Sequence, residues 1–205
     1  MSATNPSVVQ ERWGGGNSPY SMSWQKLLMW WFIISDFLIF AGFLAAYGFN
    51  RLAVGNANWP DQTEIFHMNF IAAMTFVLIT SSATMATAVA AAKKEDSATA
   101  KRFLWLTILG GITFLGMQVF EWKGFIEEGA RLHTNPWGVP SFSAFFFAIT
   151  GLHGTHVLIG VIVLLVVTIR AARGRYTAGG IELAGLYWHF VDLVWVFVFG
   201  CFYLI

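Results

Sequence analysis

Five separate stretches of this chain are long and apolar enough to cross a membrane, and that leaves few folds open to it. A spanning helix needs about 20 mostly apolar residues. The stretches run over about Leu27–Phe49, Met68–Ala92, Phe103–Phe125, Phe142–Ile169 and Leu183–Ile205. Inside hydrocarbon every backbone N–H and C=O must find a partner within the protein, so only helices and closed barrels span. A barrel would show short alternating strands, and none is visible. The expected fold is therefore all-α, an integral membrane bundle of five transmembrane helices over residues 24–205. Composition agrees at its most informative point. Charged residues make up 11% of the chain, against about 25% in soluble domains.

Charge also sets direction. Arg12 and Lys26 precede the first span, Lys93, Lys94, Lys101 and Arg102 join the second and third, and Arg170, Arg173 and Arg175 join the fourth and fifth, which makes nine on one side. Arg51, Lys123 and Arg131 make three on the other. By the positive-inside rule the N-terminus is expected in the cytoplasm and the C-terminus outside. Residues 1–23 are polar and Gly-rich (Trp13-Gly14-Gly15-Gly16-Asn17) and read as a cytoplasmic tail. They are too irregular for a signal peptide, and the apolar run behind them is too long for one. A net charge of +1 gives no basic surface for nucleic acid. The single cysteine, Cys201, excludes an internal disulfide and a Cys-rich metal site.

The chemistry lies in the few polar groups inside the spans, since an ionisable residue there costs about 2.5–3.5 kcal/mol on insertion scales and needs a partner or a task. In the fifth span His189 and Asp192 are three apart, share a helix face, and can pair with each other or a neighbour. In the fourth, His153 and His156 have the same spacing, so metal ligation and interhelical hydrogen bonding are both open. Metal ligation would need His189 and a carboxylate to converge on the pair. Asp36 lies mid-way along the first span, either as a proton-exchanging group or as a structural acid bonded to Ser35 or a histidine. Glu121 reads as a hydrogen-bonded acid near the outer interface. Ser81, Ser82, Thr84 and Thr87 are expected to bond to backbone or across helices, and small residues four apart (Gly42 and Ala46, Ala83 and Thr87) to let helices approach. Trp24, Trp30, Trp31, Trp105, Trp122 and Trp137 read as an interfacial aromatic belt, with lipid contact a further reading of Trp30 and Trp31. No nucleophile elbow or phosphate-binding loop is present. The residues alone stop at a five-helix membrane protein, a respiratory-complex subunit or a small proton-linked carrier. The carrier lacks an inverted repeat to support it.

Three motifs in order resemble a known family. Tyr187-Trp188-His189-Phe190-Val191-Asp192-Leu193-Val194-Trp195 is similar almost residue for residue to the last helix of subunit III of the haem-copper oxidases, chiefly cytochrome c oxidase. Thr150-Gly151-Leu152-His153-Gly154-Thr155-His156 resembles that family's strongest motif, and the Gln118-to-Trp122 pattern and Ser81-Ser82 match the helices between. The resemblance covers Trp24 to the C-terminus. It implies a subunit with no redox centre of its own, packed chiefly on subunit I, with subunit II and other respiratory subunits near. Haems and copper would then lie in partner chains, phospholipids would sit between the helices, and the subunit would help sustain proton uptake. The histidines of these motifs are not metal ligands in the family. Two departures stand out: the first two helices of the seven-helix members are absent, as in short bacterial forms, and the membrane acid of the first shared span is Asp36 in place of glutamate. Aspartate there also resembles the quinol oxidase branch, and a five-helix relative accompanies nitric oxide reductases. A bacterial plasma membrane is the implied location.

Overall fold

The computed structural model describes residues 12–13, 16–17, 23–55, 58–175 and 177–204. Five helices are long and apolar enough to span a membrane. They are α1 (Trp24–Val54), α3 (Met68–Lys93), α4 (Ser97–Glu127), α5 (Pro140–Ala172) and α6 (Ala178–Val198), the last running into a π-helical turn over Phe199–Leu204. A four-residue helix, α2 (Gln62–Ile65), lies in the loop between α1 and α3. Apart from a two-residue antiparallel ladder, β1 (Arg12–Trp13) with β2 (Gly16–Asn17), the described chain is helical. The reading of residues 1–23 as a tail otherwise falls outside the described residues.

The helices overrun the apolar stretches at most of their ends, and at several of these a cap sets the boundary. Ser23 Oγ accepts from Lys26 N at 3.3 Å and opens α1, while Gly55, at φ +86°, closes it. Asp96 accepts from Thr99 N at 3.0 Å and opens α4 six residues before the apolar run at Phe103. Pro140 occupies the first turn of α5, where its missing N–H costs nothing.

Helices α3 and α4 pack side by side, α5 lies against α4, and α6 closes the core against α3 and α5. Helix α1 rests on α5 and α6 and leaves most of its surface outward. Two glycines make the tightest joint. A Cβ on Gly111 would sit 2.5 Å from the Trp188 ring and one on Gly160 would sit 3.0 Å from it, so the indole fits a hole between α4 and α5 that only glycine leaves. The pairs singled out in the sequence are not the contact points. Nothing lies within 4 Å of a Cβ on Gly42, and Ala83 and Thr87 are exposed. Spacing of small residues marks a face without saying what meets it. At the end of the bundle holding the α1–α3 loop, Phe66, Phe125, Phe142, Phe146 and Phe202 form an aromatic plug. Trp137 packs into that plug and Trp122 donates to Thr150 Oγ1 at 3.0 Å, so both also make contacts within the bundle. Trp24, Trp30, Trp31 and Trp105 stay exposed. At the opposite end, Lys26 and Lys93 both reach Glu182 Oε1, at 3.0 and 3.1 Å, and tie α1, α3 and α6 together.

Candidate functional site

Among the described residues, four clusters built on a histidine or an acid sit in the apolar bundle, each joining helices that are distant in sequence. The first joins α1, α5 and α6. His156 Nε2 lies 2.8 Å from Asp36 Oδ2. The contact is close but off the line of a straight hydrogen bond, so Oδ2 has no aligned donor among the described residues. The other ring nitrogen, Nδ1, lies 2.8 Å from the Leu152 carbonyl. A carbonyl only accepts, so Nδ1 carries a hydrogen. Phe40 meets the ring edge-on and Tyr187 Oη donates to the His156 carbonyl at 3.0 Å, which closes the site with apolar and aromatic surface. Of the partners the sequence left open to Asp36, a histidine is the one found. Ser35 Oγ instead donates to its own helix at Phe32 O, 2.8 Å away.

The second cluster is buried deepest. His153 is fully buried, and its Nε2 donates to the Val191 carbonyl of α6 at 3.1 Å. The ring lies between Phe114 and Trp195. Trp195 Nε1 in turn donates to Thr75 Oγ1 at 3.0 Å, so α3, α4, α5 and α6 meet here. His153 and His156 share a spacing but not a destination. One turns to the core and the other to α1.

The third cluster joins α3 and α6. Ser82 Oγ lies 2.7 Å from His189 Nδ1, and Asp192 stands one turn further along α6, its Oδ1 buried without a hydrogen-bond partner among the described residues. Beside it Ser81 Oγ donates to the Thr107 carbonyl at 3.1 Å, and Thr84 and Thr107 hydroxyls lie 2.8 Å apart, pinning α3 to α4 as the hydroxyl-rich sequence led one to expect. Gln118 does the same for α4 and α5, donating from Nε2 to the Thr150 carbonyl at 2.6 Å.

The fourth lies at the end of the bundle that holds the α1–α3 loop. Tyr203 Oη donates to Glu121 Oε1 at 3.1 Å. The tyrosine reaches the acid from the terminal π-turn, a local rewinding with no signal in residue type or spacing, and sequence reasoning missed it. Glu121 also lines a pocket of about 410 Å³, with Ile65, Phe66, Phe70 and Phe120 among its walls. Among the described residues no three His, Cys, Asp or Glu side chains converge as a metal site would require. Trp30 and Trp31 lie outward on α1, away from all four clusters.

These clusters fall on the motif helices, and comparison with known proteins covers the same ground. The family model for cytochrome c oxidase subunit III matches residues 7–205. A protein of Alkalihalophilus pseudofirmus named "Cytochrome c oxidase subunit 3" is 32% identical over 178 residues, 85% of this chain and 84% of its own. One of Thermostichus vulcanus with the same name is 35% identical over 178 residues, again 85% and 84%. A protein of Staphylococcus saprophyticus named "Probable quinol oxidase subunit 3" is 32% identical over 183 residues, 88% of each chain. With five spanning helices and a match over nearly its whole length, this multi-pass membrane protein belongs to the cytochrome c oxidase subunit III family.

Proposed function

We propose that the chain is the non-redox accessory subunit of a proton-pumping terminal oxidase in a bacterial plasma membrane. In this reading a partner chain, subunit I, carries the haems and copper and reduces O2 to water with electrons from cytochrome c. This chain stabilises subunit I, with subunit II in the same assembly, and holds lipid. It also supports proton uptake through a buried group.

The observation that carries the reading is how the motif histidines are used. Nε2 of His153 goes to a backbone carbonyl, His156 is held by a carbonyl and Asp36, and Nδ1 of His189 goes to Ser82. Each joins two helices, as in a scaffold. Asp36 is the group suited to a proton role, since it is buried at 7% exposure beside a titratable ring. The apolar pocket beside Glu121 suits an acyl chain. The nine-to-three distribution of basic residues favours a cytoplasmic N-terminus.

Purification in mild detergent from its own membranes tests the assignment. The chain should travel with a haem-containing membrane subunit, and by itself it should show neither haem absorbance nor stoichiometric copper. A homogeneous, haem-free preparation would end the oxidase reading. The identity to a staphylococcal quinol oxidase subunit supports a second reading in which quinol replaces cytochrome c as donor. Rates of the purified complex with each donor separate the two.

A further inference from the structure

Among the described residues, the α6 face that carries His189 is left partly uncovered. Lys26 of α1 and Lys93 of α3 converge on Glu182, so these two helices flank one stripe of α6. At spacings of three and four that stripe continues through His189, Leu193 and Val196. Phe37 of α1 against Phe197 marks one wall of the resulting groove, and Ser82 of α3 against His189 marks the other. On its floor Leu193 is 51% and Val196 43% exposed, and His189 and Asp192 stay partly exposed.

Depth decides what can lie in the groove. Glu182 with its two lysines fixes the headgroup level. His189 is seven residues further, about 10 Å at 1.5 Å per residue, and Asp192 about 15 Å, the middle of a hydrocarbon core of about 30 Å. Acyl chains there offer neither donor nor acceptor. Ser82 takes Nδ1 of His189, and Nε2 makes no hydrogen bond among the described residues. If the Ser82 hydroxyl donates to Nδ1, Nε2 carries a hydrogen and needs an acceptor. If Nδ1 donates to Ser82, neutral Nε2 needs a donor. A hydroxyl or carboxamide serves either tautomer.

We infer that the groove of α6 between α1 and α3 is a docking surface for a transmembrane helix of a partner subunit, one bearing a hydroxyl or carboxamide side chain at the level of His189. The inference rests on the reading of the chain as an assembled subunit and adds which face assembles. Its occupant is a protein helix: acyl chains bring no polar group to that depth, and a spanning helix both fills the apolar floor and brings one.

The test uses the complex in its own membranes. A photo-crosslinking amino acid at Leu193 or Val196 should capture a co-assembled membrane subunit, and the captured peptide should be a spanning helix with Ser, Thr, Asn, Gln or Tyr. The same probe at Ile112 of α4 or Ile162 of α5, also exposed, serves as the comparison. Labelling of lipid alone from Leu193 and Val196, in a preparation that still holds its partners, overturns the inference and leaves the subunit reading intact. A chain that never retains a partner overturns both. Independently, His189→Gln should retain the partner through detergent extraction and His189→Leu should lose about tenfold in retention. A His189→Leu chain that melts like the parent and keeps its partner at the parent level also overturns the proposal.

Discussion

The Leu152 carbonyl accepts from His156 Nδ1, so Nε2 is the ring atom that faces Asp36 Oδ2, 2.8 Å away. Asp36→Asn keeps a polar side chain of the same size beside Nε2 and cannot exchange a proton. Assembly and the initial oxidase rate should stay near those of the parent, with a deficit growing over prolonged turnover. Complete loss of the initial rate in an assembled complex would make Asp36 an obligatory carrier, and unchanged sustained turnover would make it a structural partner only. Asp36→Leu differs in kind, because it replaces the carboxylate 2.8 Å from Nε2 with apolar surface and should lower stability by about 1–3 kcal/mol, read as an earlier thermal transition in detergent. The sequence narrowed Asp36 to a few partners but could not select His156. The two are 120 positions apart and belong to helices whose contact is set by packing rather than by local pattern.

At the scale of elements, boundaries and joints follow different rules. Apolar length located all five spans, since the bilayer acts on every residue of a span alike. The helix ends were less legible: Asp96, Ser23 and Gly55 stop or start helices by single hydrogen bonds in polar sequence, where hydropathy carries no information. The joints were least legible. Gly111 matters because Trp188 enters from α6, and nothing near Gly111 in sequence announces it. Gly111→Ala should therefore overpack the joint and destabilise the chain by about 1–3 kcal/mol. Gly42→Ala, with open space around it, should be neutral or stabilising by up to about 1 kcal/mol through helix propensity. Equal effects at the two sites in thermal melts would refute the packing account. The α3–α4 turn makes a complementary case. Glu95 holds φ +60°, while Asp96 N donates to Ala91 O at 3.0 Å, the closure that ordinarily takes glycine at the left-handed position. Glu95→Gly should relieve that strain and raise stability by about 1 kcal/mol, without touching any membrane-embedded group.

For the whole molecule, the distribution of charge and the distribution of aromatic mass point in opposite directions along the bundle axis. One end carries the Lys26–Glu182–Lys93 triad and the α3–α4 and α5–α6 turns, with most of the basic residues. The other carries the aromatic plug, α2 and the Glu121–Tyr203 contact. Such an asymmetric bundle has one favoured insertion, because Lys and Arg near span ends resist transfer across the membrane. Glu95 and Glu128 report on it, since each lies in a turn just beyond a helix end, at opposite ends of α4. Both are exposed, so a thiol at either reacts with a water-borne reagent only from its own side. With Cys201 replaced by alanine, Glu128→Cys should be labelled by a membrane-impermeant maleimide in intact cells. Glu95→Cys should be labelled only after permeabilisation. The opposite pattern would invert the proposed topology and move Asp36 and the His189 groove to different depths relative to the cytoplasm. Labelling of both in intact cells would mean that α4 does not span at all, and the bundle drawn from five apolar runs would fail with it.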